Sequence, residues 1–236
     1  MAGIQGSWYN PAMLKLFRRG EPLLLFLLVF FPGYFMQSSQ NVDPALFNSL
    51  SFNLFYILTA VPQLSLILYL MMRSPDIPGK KFGLVRFKPN YPLKALAGTA
   101  GILLVLVPLY IIHALLVSHG VIVEWPGMTW SFTNKAMIPA VFITCLTTGY
   151  LEESYFRSYL LTWGQKRGIG RAGLILGINA LFAAGHLYQG PLGFLATFLI
   201  GVLLTLQFLK NRNLHLIAWS HGYYNFTVLM VALLWG

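Results

Sequence analysis

Apolar residues in this chain run in long unbroken stretches instead of alternating with polar ones at the period of a strand or an amphipathic helix. Stretches able to cross about 30 Å of hydrocarbon as helices lie near 22–38, 46–72, 93–117, 136–162, 172–188, 190–209 and 213–235. The pattern predicts an all-α fold, a polytopic transmembrane helical bundle of about seven to eight spans. The eighth element would be a re-entrant or interfacial segment in 118–135, around Glu124-Trp125-Pro126-Gly127. No internal repeat, low-complexity tract or soluble region interrupts the series. Residues 1–236 therefore read as one integral membrane domain, with its chemistry concentrated at about 136–235.

Charge adds an orientation. Lys and Arg should fall in alternate connections, on the cytoplasmic side, if the spans are right. Three lie before the first span, six in the 73–94 connection, three in 163–171 and two in the 210–212 turn. Only Lys135 and Arg157 depart from the alternation. The expected topology is N-terminus cytoplasmic and C-terminus outside, with Trp125, Trp130, Trp163 and Trp235 near span ends as interfacial aromatics. Lys15, Arg18 and Arg19 ahead of Leu23 to Phe31 also have the charge order of a secretory signal. Gln37-Ser38-Ser39-Gln40 lacks a small-x-small cleavage site and Pro32-Gly33 resembles a kink within a span, so an uncleaved anchor is expected.

Composition narrows the class. The chain is 57% hydrophobic and 9% charged, against about 25% charged residues in a soluble domain. A net charge of +10 without a basic stripe interleaved with aromatics argues against nucleic acid and reports topology instead. The single Cys145 excludes an intrachain disulfide. The Gly-rich stretch Gly164 to Gly173 lacks the spacing of a phosphate loop and reads as a cytoplasmic turn.

Against this background the ionisable residues inside the spans stand out, because a charge at the bilayer centre costs at least about 2.5–3.5 kcal/mol. Glu152, Glu153 and Arg157 fall in the fourth span, Phe182 and His186 in the fifth, His221 and Asn225 in the seventh. Each group contains an i, i+4 pair, which on a helix shares one face. Glu153 and Arg157 are spaced to neutralise each other, while Glu152 is rotated about 100° away and left as the unpaired acid. Counted at about 1.5 Å per residue from the cytoplasmic span ends, Glu152 lies about 16 Å deep, His221 about 12 Å, Asn225 about 18 Å and His186 about 22 Å. Tilt can close that band to contact. Such a set can activate water, with Glu152, alone or with His186, taking the proton and His221 and Asn225 donating to the oxyanion.

The ordered set Glu152-Glu153-x-x-x-Arg157, Phe182-x-x-x-His186 and His221-x-x-x-Asn225 resembles the CPBP (CAAX protease and bacteriocin-processing, Abi) family of intramembrane glutamic-type endopeptidases. That family includes the type II CAAX prenyl endopeptidases and bacterial members linked to bacteriocin processing or self-immunity. The resemblance covers about 140–230 and implies Glu152 with His186 as the base, His221 and Asn225 as oxyanion donors, and Glu153, Arg157 and Phe182 as supporting residues. It also implies a helical core opening toward the cytoplasmic side. The expected substrate is a membrane-anchored protein or peptide, the expected setting the lipid bilayer of a prokaryotic cytoplasmic membrane, and no cofactor is required. Nothing in the sequence indicates a prenyl group.

Other readings stay open at this stage. Two His and one Glu also suit catalytic zinc, although no HExxH is present. A noncatalytic immunity or scaffold protein, a proton-coupled transporter and a bis-His haem protein all place such residues in membranes. Cys145, seven residues before Glu152, shares its helical face, but no His on that helix can activate a thiol. Asn179, two turns before His186, is expected to bond across helices. His113, His119 and His215 are expected at membrane interfaces, without chemistry.

Overall fold

The computed structural model describes residues 11–32, 43–121 and 130–235, and all regular structure among them is helical. Residues 33–42 and 122–129 lie outside the described residues. The end of the first expected span, the missing cleavage site and the interfacial element around Glu124 to Gly127 fall on them.

The chain forms two compact units, 1–36 and 37–236. The first contains α1, Pro11–Val29, with Pro22 inside it and Phe26 stacked on Phe30 one turn later. The helix begins well before the apolar run because Pro11 suits a first helical position and the charged residues that follow are good helix formers.

The second unit contains α2, Leu50–Met72, and α3, Tyr91–Ser118. The expected span 46–72 is divided: Leu46–Asn48 forms a 3-10 turn, and Ser49 restarts the chain as an N-cap whose hydroxyl accepts from Phe52 N at 3.4 Å. α4, Ile138–Glu153, continues through a π-helical segment, Ser154–Leu160, into α5, Leu161–Lys166. α6, Arg171–Ala184, leads through the 3-10 turn Leu187–Gln189 to α7, Gly190–Asn211, and α8, Leu214–Trp235, completes the unit.

Among the described residues, α2, α3 and the stretch Leu187–Asn211 are long and apolar enough to cross a membrane, and Arg171–Ala184 is apolar but shorter. Phe55, Leu58, Met72, Leu93 and Leu104 are exposed on α2 and α3, an outer surface that water would disfavour and hydrocarbon solvates. This is a helical membrane bundle.

Two close helix approaches organise it around α8, which packs most extensively on α4 and then on α3. A Cβ at Gly149 would stand 2.5 Å from Ala218 O and 3.0 Å from Gly222 N, and one at Gly222 would meet Leu146 Cδ2 at 2.8 Å. Only glycine at both positions lets α4 and α8 come this near, the small-residue packing typical of membrane helices. On its other side α8 is joined to α3, where Ser220 Oγ donates to Ala95 O at 3.0 Å and Thr99 Oγ1 donates to Ser220 O at 3.1 Å. A Cβ at Gly98 would collide with Ser220 Oγ. Gly149 is one turn before Glu153, and Ser220 and Gly222 flank His221. The tightest packing thus lies beside the suspected chemistry.

Candidate active site

Glu152 and Glu153 leave α4 on different faces. Thr144 and Thr148, two turns and one turn before Glu152, face α2: Thr144 Oγ1 donates to Asn53 Oδ1 at 2.8 Å and Thr148 Oγ1 donates to Tyr56 Oη at 2.9 Å. Glu152 continues that row. Glu153 continues the row of Gly149 against α8 and is fully buried.

On α8, His221 meets both carboxylates. Its Nδ1 is 2.8 Å from Glu153 Oε1, and its Nε2 is 3.7 Å from Glu152 Oε2. The first distance is a hydrogen bond in which Nδ1–H donates to the carboxylate; the second is too long for one. Glu153 therefore fixes the orientation of the ring and leaves Nε2 facing Glu152. Exposure separates the acids further: the Glu152 side chain keeps 17% of its surface open, whereas those of Glu153 and Arg157 keep none. Of the two acids, Glu152 is the one with surface left to meet water or a substrate.

Arg157 secures the sealed side. Nη1 donates to Glu153 Oε1 at 3.0 Å and Nη2 donates to Asn179 Oδ1 at 3.1 Å. Asn179 is held in turn by Nδ2 donating to Ile175 O at 2.7 Å and to Thr205 Oγ1 at 3.1 Å. The guanidinium lies 4.1 Å from the centre of the Phe182 ring, an added cation–π contact. Two charges in a bundle interior are tolerable because both are paired and hydrogen-bonded. The π segment starts at Ser154, immediately after Glu153, and its wider turn re-aims Arg157 relative to a continuous α-helix.

His186 sits differently from its expected place in the fifth span. α6 ends at Ala184, and His186 belongs to the reversal that leads through Leu187–Gln189 to Gly190, whose φ of 81° suits glycine. Pro191 then opens α7, where a missing amide costs nothing. The ring still returns to the site. His186 Nδ1 donates to Phe182 O at 3.1 Å, which leaves Nε2 as an acceptor. The Phe182 ring touches both imidazoles, with centroids 5.1 Å from His186 and 6.0 Å from His221. Phe182 is the common wall against which the guanidinium and the two rings are set.

Asn225 lies one turn beyond His221 on α8 and is half-buried. Cys145 is packed with Phe132, Val141 and Leu229, in an apolar cluster. His215, expected at an interface, bonds Tyr150 Oη through Nδ1 at 2.8 Å and Val85 O through Nε2 at 3.0 Å, tying the 79–90 connection to the bundle. Among the described residues no three of His, Cys, Asp or Glu form a metal-binding group.

Asn179 was visible to sequence reading as a polar residue two turns before His186; Thr205 and Gly201 were not. A Cβ at Gly201 would stand 2.5 Å from Asn179 Oδ1 and 2.7 Å from Arg157 Nη2, so α7 needs glycine where it crosses the Arg157–Asn179 bond.

A bundle of apolar helices that brings carboxylates and imidazoles together in its interior has the groups that hydrolysis within a membrane requires. Residues 134–227, the stretch that carries all three motifs, match the family model described as type II CAAX prenyl endopeptidase Rce1-like. The match agrees with the resemblance read from the motifs and covers 134–227, the part of the chain in which they lie. No curated protein and no solved structure matches the chain.

Proposed function

We propose that the protein is an intramembrane endopeptidase of the glutamic type, in which Glu152 and His186 activate water for attack on a peptide carbonyl. The observation that carries this reading is the unequal setting of two adjacent carboxylates around one imidazole. Glu153 is sealed and bonded to Arg157 and His221, whereas Glu152 is partly open and stands 3.7 Å from His221 Nε2.

In the proposed mechanism water sits between Glu152 and His186 Nε2, the acceptor left by the bond to Phe182 O. Glu152 takes the proton as oxygen attacks. His221, oriented by its bond to Glu153, donates from Nε2 to the oxyanion in the proposed step, for which both ring nitrogens carry protons, and Asn225 adds a second donor. The protonated Glu152 then passes its proton to the departing amine. Every step uses residues of this chain alone, and a metal is not required. Chelation and zinc addition check that directly, since activity that disappears with a chelator and returns with zinc would overturn the metal-free route.

The proposed substrate is a membrane-anchored protein or peptide, and the family description makes a C-terminal prenylated peptide one probe to include. The alternation of Lys and Arg supports placement in a cytoplasmic membrane, with the bundle opening to the cytoplasmic side. Comparative peptidomics of membranes from cells carrying wild-type protein or Glu152→Gln tests the reading. It expects at least one membrane protein whose processed form disappears in the variant; identical peptidomes at equal expression would overturn it.

A further inference from the structure

Two tyrosines that belong to none of the three motifs approach Glu152 from separate segments. Tyr56 comes from α2, its Oη 2.9 Å from Thr148 Oγ1, one turn before Glu152. Tyr188 comes from the 3-10 turn after His186, and its ring stacks on that imidazole with centroids 6.2 Å apart and planes at 26°. Tyr56 thus meets α4 in the row that leads to Glu152, and Tyr188 lies against the imidazole that follows the end of α6.

Tyr188 is held there by a built arrangement. Gln189 Nε2 donates to Tyr188 Oη at 2.9 Å. Gln189 can fold back this way because a Cβ at Gly193 would collide with its own Cβ, and because the chain reverses at Gly190 with φ of 81°. An amide nitrogen can only donate, so Tyr188 Oη is the acceptor in that bond and its own proton remains to be donated.

The pattern of exposure points to what receives it. Glu153, Arg157, Asn179 and Thr205 are fully buried, whereas Glu152, His186, Tyr188 and Tyr56 are only half-buried. The second group is the open lining of the site. A peptide unwound for cleavage inside a membrane presents backbone carbonyls that no water is at hand to satisfy, and each needs a donor from the protein.

We propose that Tyr188, with Tyr56 beside it, is a substrate-positioning residue whose phenol donates to a backbone carbonyl next to the bond that is cut. The proposal rests on Glu152 as the base of a hydrolytic site and assigns substrate contact to two segments outside the motifs.

The test uses a synthetic peptide spanning a cut that is lost in Glu152→Gln cells, with purified full-length protein in proteoliposomes. Tyr188→Phe is expected to lower kcat/KM about tenfold or more, the effect of one lost hydrogen bond in the reacting complex, with an unchanged melting temperature. Gln189→Leu, which frees Tyr188 without touching its hydroxyl, is expected to fall between wild type and Tyr188→Phe, and Tyr56→Phe to raise KM. A Tyr188→Phe rate within twofold of wild type would overturn the proposal, as would a rate loss matched by a lowered melting temperature in both Tyr188→Phe and Gln189→Leu. If Glu152→Gln itself keeps the wild-type rate on this peptide, the hydrolytic reading fails and the proposal with it, whatever the tyrosine variants do.

Discussion

Replacing Gly201 with alanine should damage the site from a position that touches no substrate. In the interior of a helix the exchange would ordinarily stabilise by about 0.8–1 kcal/mol, because alanine loses less backbone entropy. Here the new Cβ would lie 2.5 Å from Asn179 Oδ1 and 2.7 Å from Arg157 Nη2. Both atoms are ends of side chains, but neither is free to move: each is a partner in the bond joining them, and Arg157 also carries Glu153. Relief of the clash must break or lengthen a charge-assisted hydrogen bond in a site sealed from water, a loss of about 1.5–3 kcal/mol. Overpacking of a tight core costs a similar 1–3 kcal/mol by measured precedent, roughly the same quantity seen from the packing side. The net expectation is destabilisation by about 1–2 kcal/mol, about 2–8 °C in melting temperature for a chain of this size. Activity should fall as well, because His221 is oriented through Glu153. Gly177 on α6 is the internal control, since a Cβ there meets nothing within 4 Å and Gly177→Ala should be neutral or stabilising. Thermal unfolding of both variants in detergent, followed by circular dichroism, is the measurement. A Gly201→Ala protein as stable as Gly177→Ala would refute the argument that the Arg157–Asn179 bond is held under α7.

The two adjacent glutamates should separate by stability. Glu153→Gln breaks the fully buried Glu153–Arg157 ion pair and should cost about 3–5 kcal/mol, seen as loss of folded protein after extraction; Glu152→Gln should keep the wild-type melting temperature within about 2 °C, and equal losses in both would contradict their assignment. Cys145→Ala should leave peptide cleavage unchanged while costing less than about 2 kcal/mol, because the thiol only packs against Phe132, Val141 and Leu229. Gly83→Ala should lower stability by about 1–3 kcal/mol without changing the kcat of the folded fraction, because Gly83 has φ of 72° and a Cβ there would stand 2.7 Å from Phe208 Cε2. A lowered kcat in that variant would mean that the turn at Gly83 takes part in catalysis.

The helical bundle was legible because lipid-facing helices need apolar residues on all sides, and such runs survive in the linear sequence without any knowledge of partners. The Glu153–Arg157 pair was legible because both members sit on one helix, where spacing alone determines distance. The bond from Glu153 to His221 was not, since it depends on how closely α4 and α8 approach, and that is set by Gly149 and Gly222 meeting across 73 positions of chain. The end of α6 at Ala184 was hidden for another reason. Its apolar run continues past Ala184 to Tyr188 and breaks only at Gln189-Gly190-Pro191, so the pattern places the end four residues late, inside a reversal completed at Gly190. No residue between Ser154 and Leu160 announces a π-helical turn; its stabilisation comes from outside the helix, including the bond from Ser158 Oγ to Phe82 O. Tyr56 and Tyr188 were passed over because aromatic residues are common in membrane spans and carry no spacing signal of their own.

The central claim is that Glu152 is the base for peptide hydrolysis inside the bilayer. Its most direct test is the cleavage rate of a synthetic peptide, spanning a Glu152-dependent cut, by purified wild-type and Glu152→Gln protein in proteoliposomes. The account predicts a fall of at least about a hundredfold in kcat, the contribution of a general base, at unchanged thermal stability. A Glu152→Gln enzyme that is correctly folded and cleaves within tenfold of the wild-type rate would contradict it.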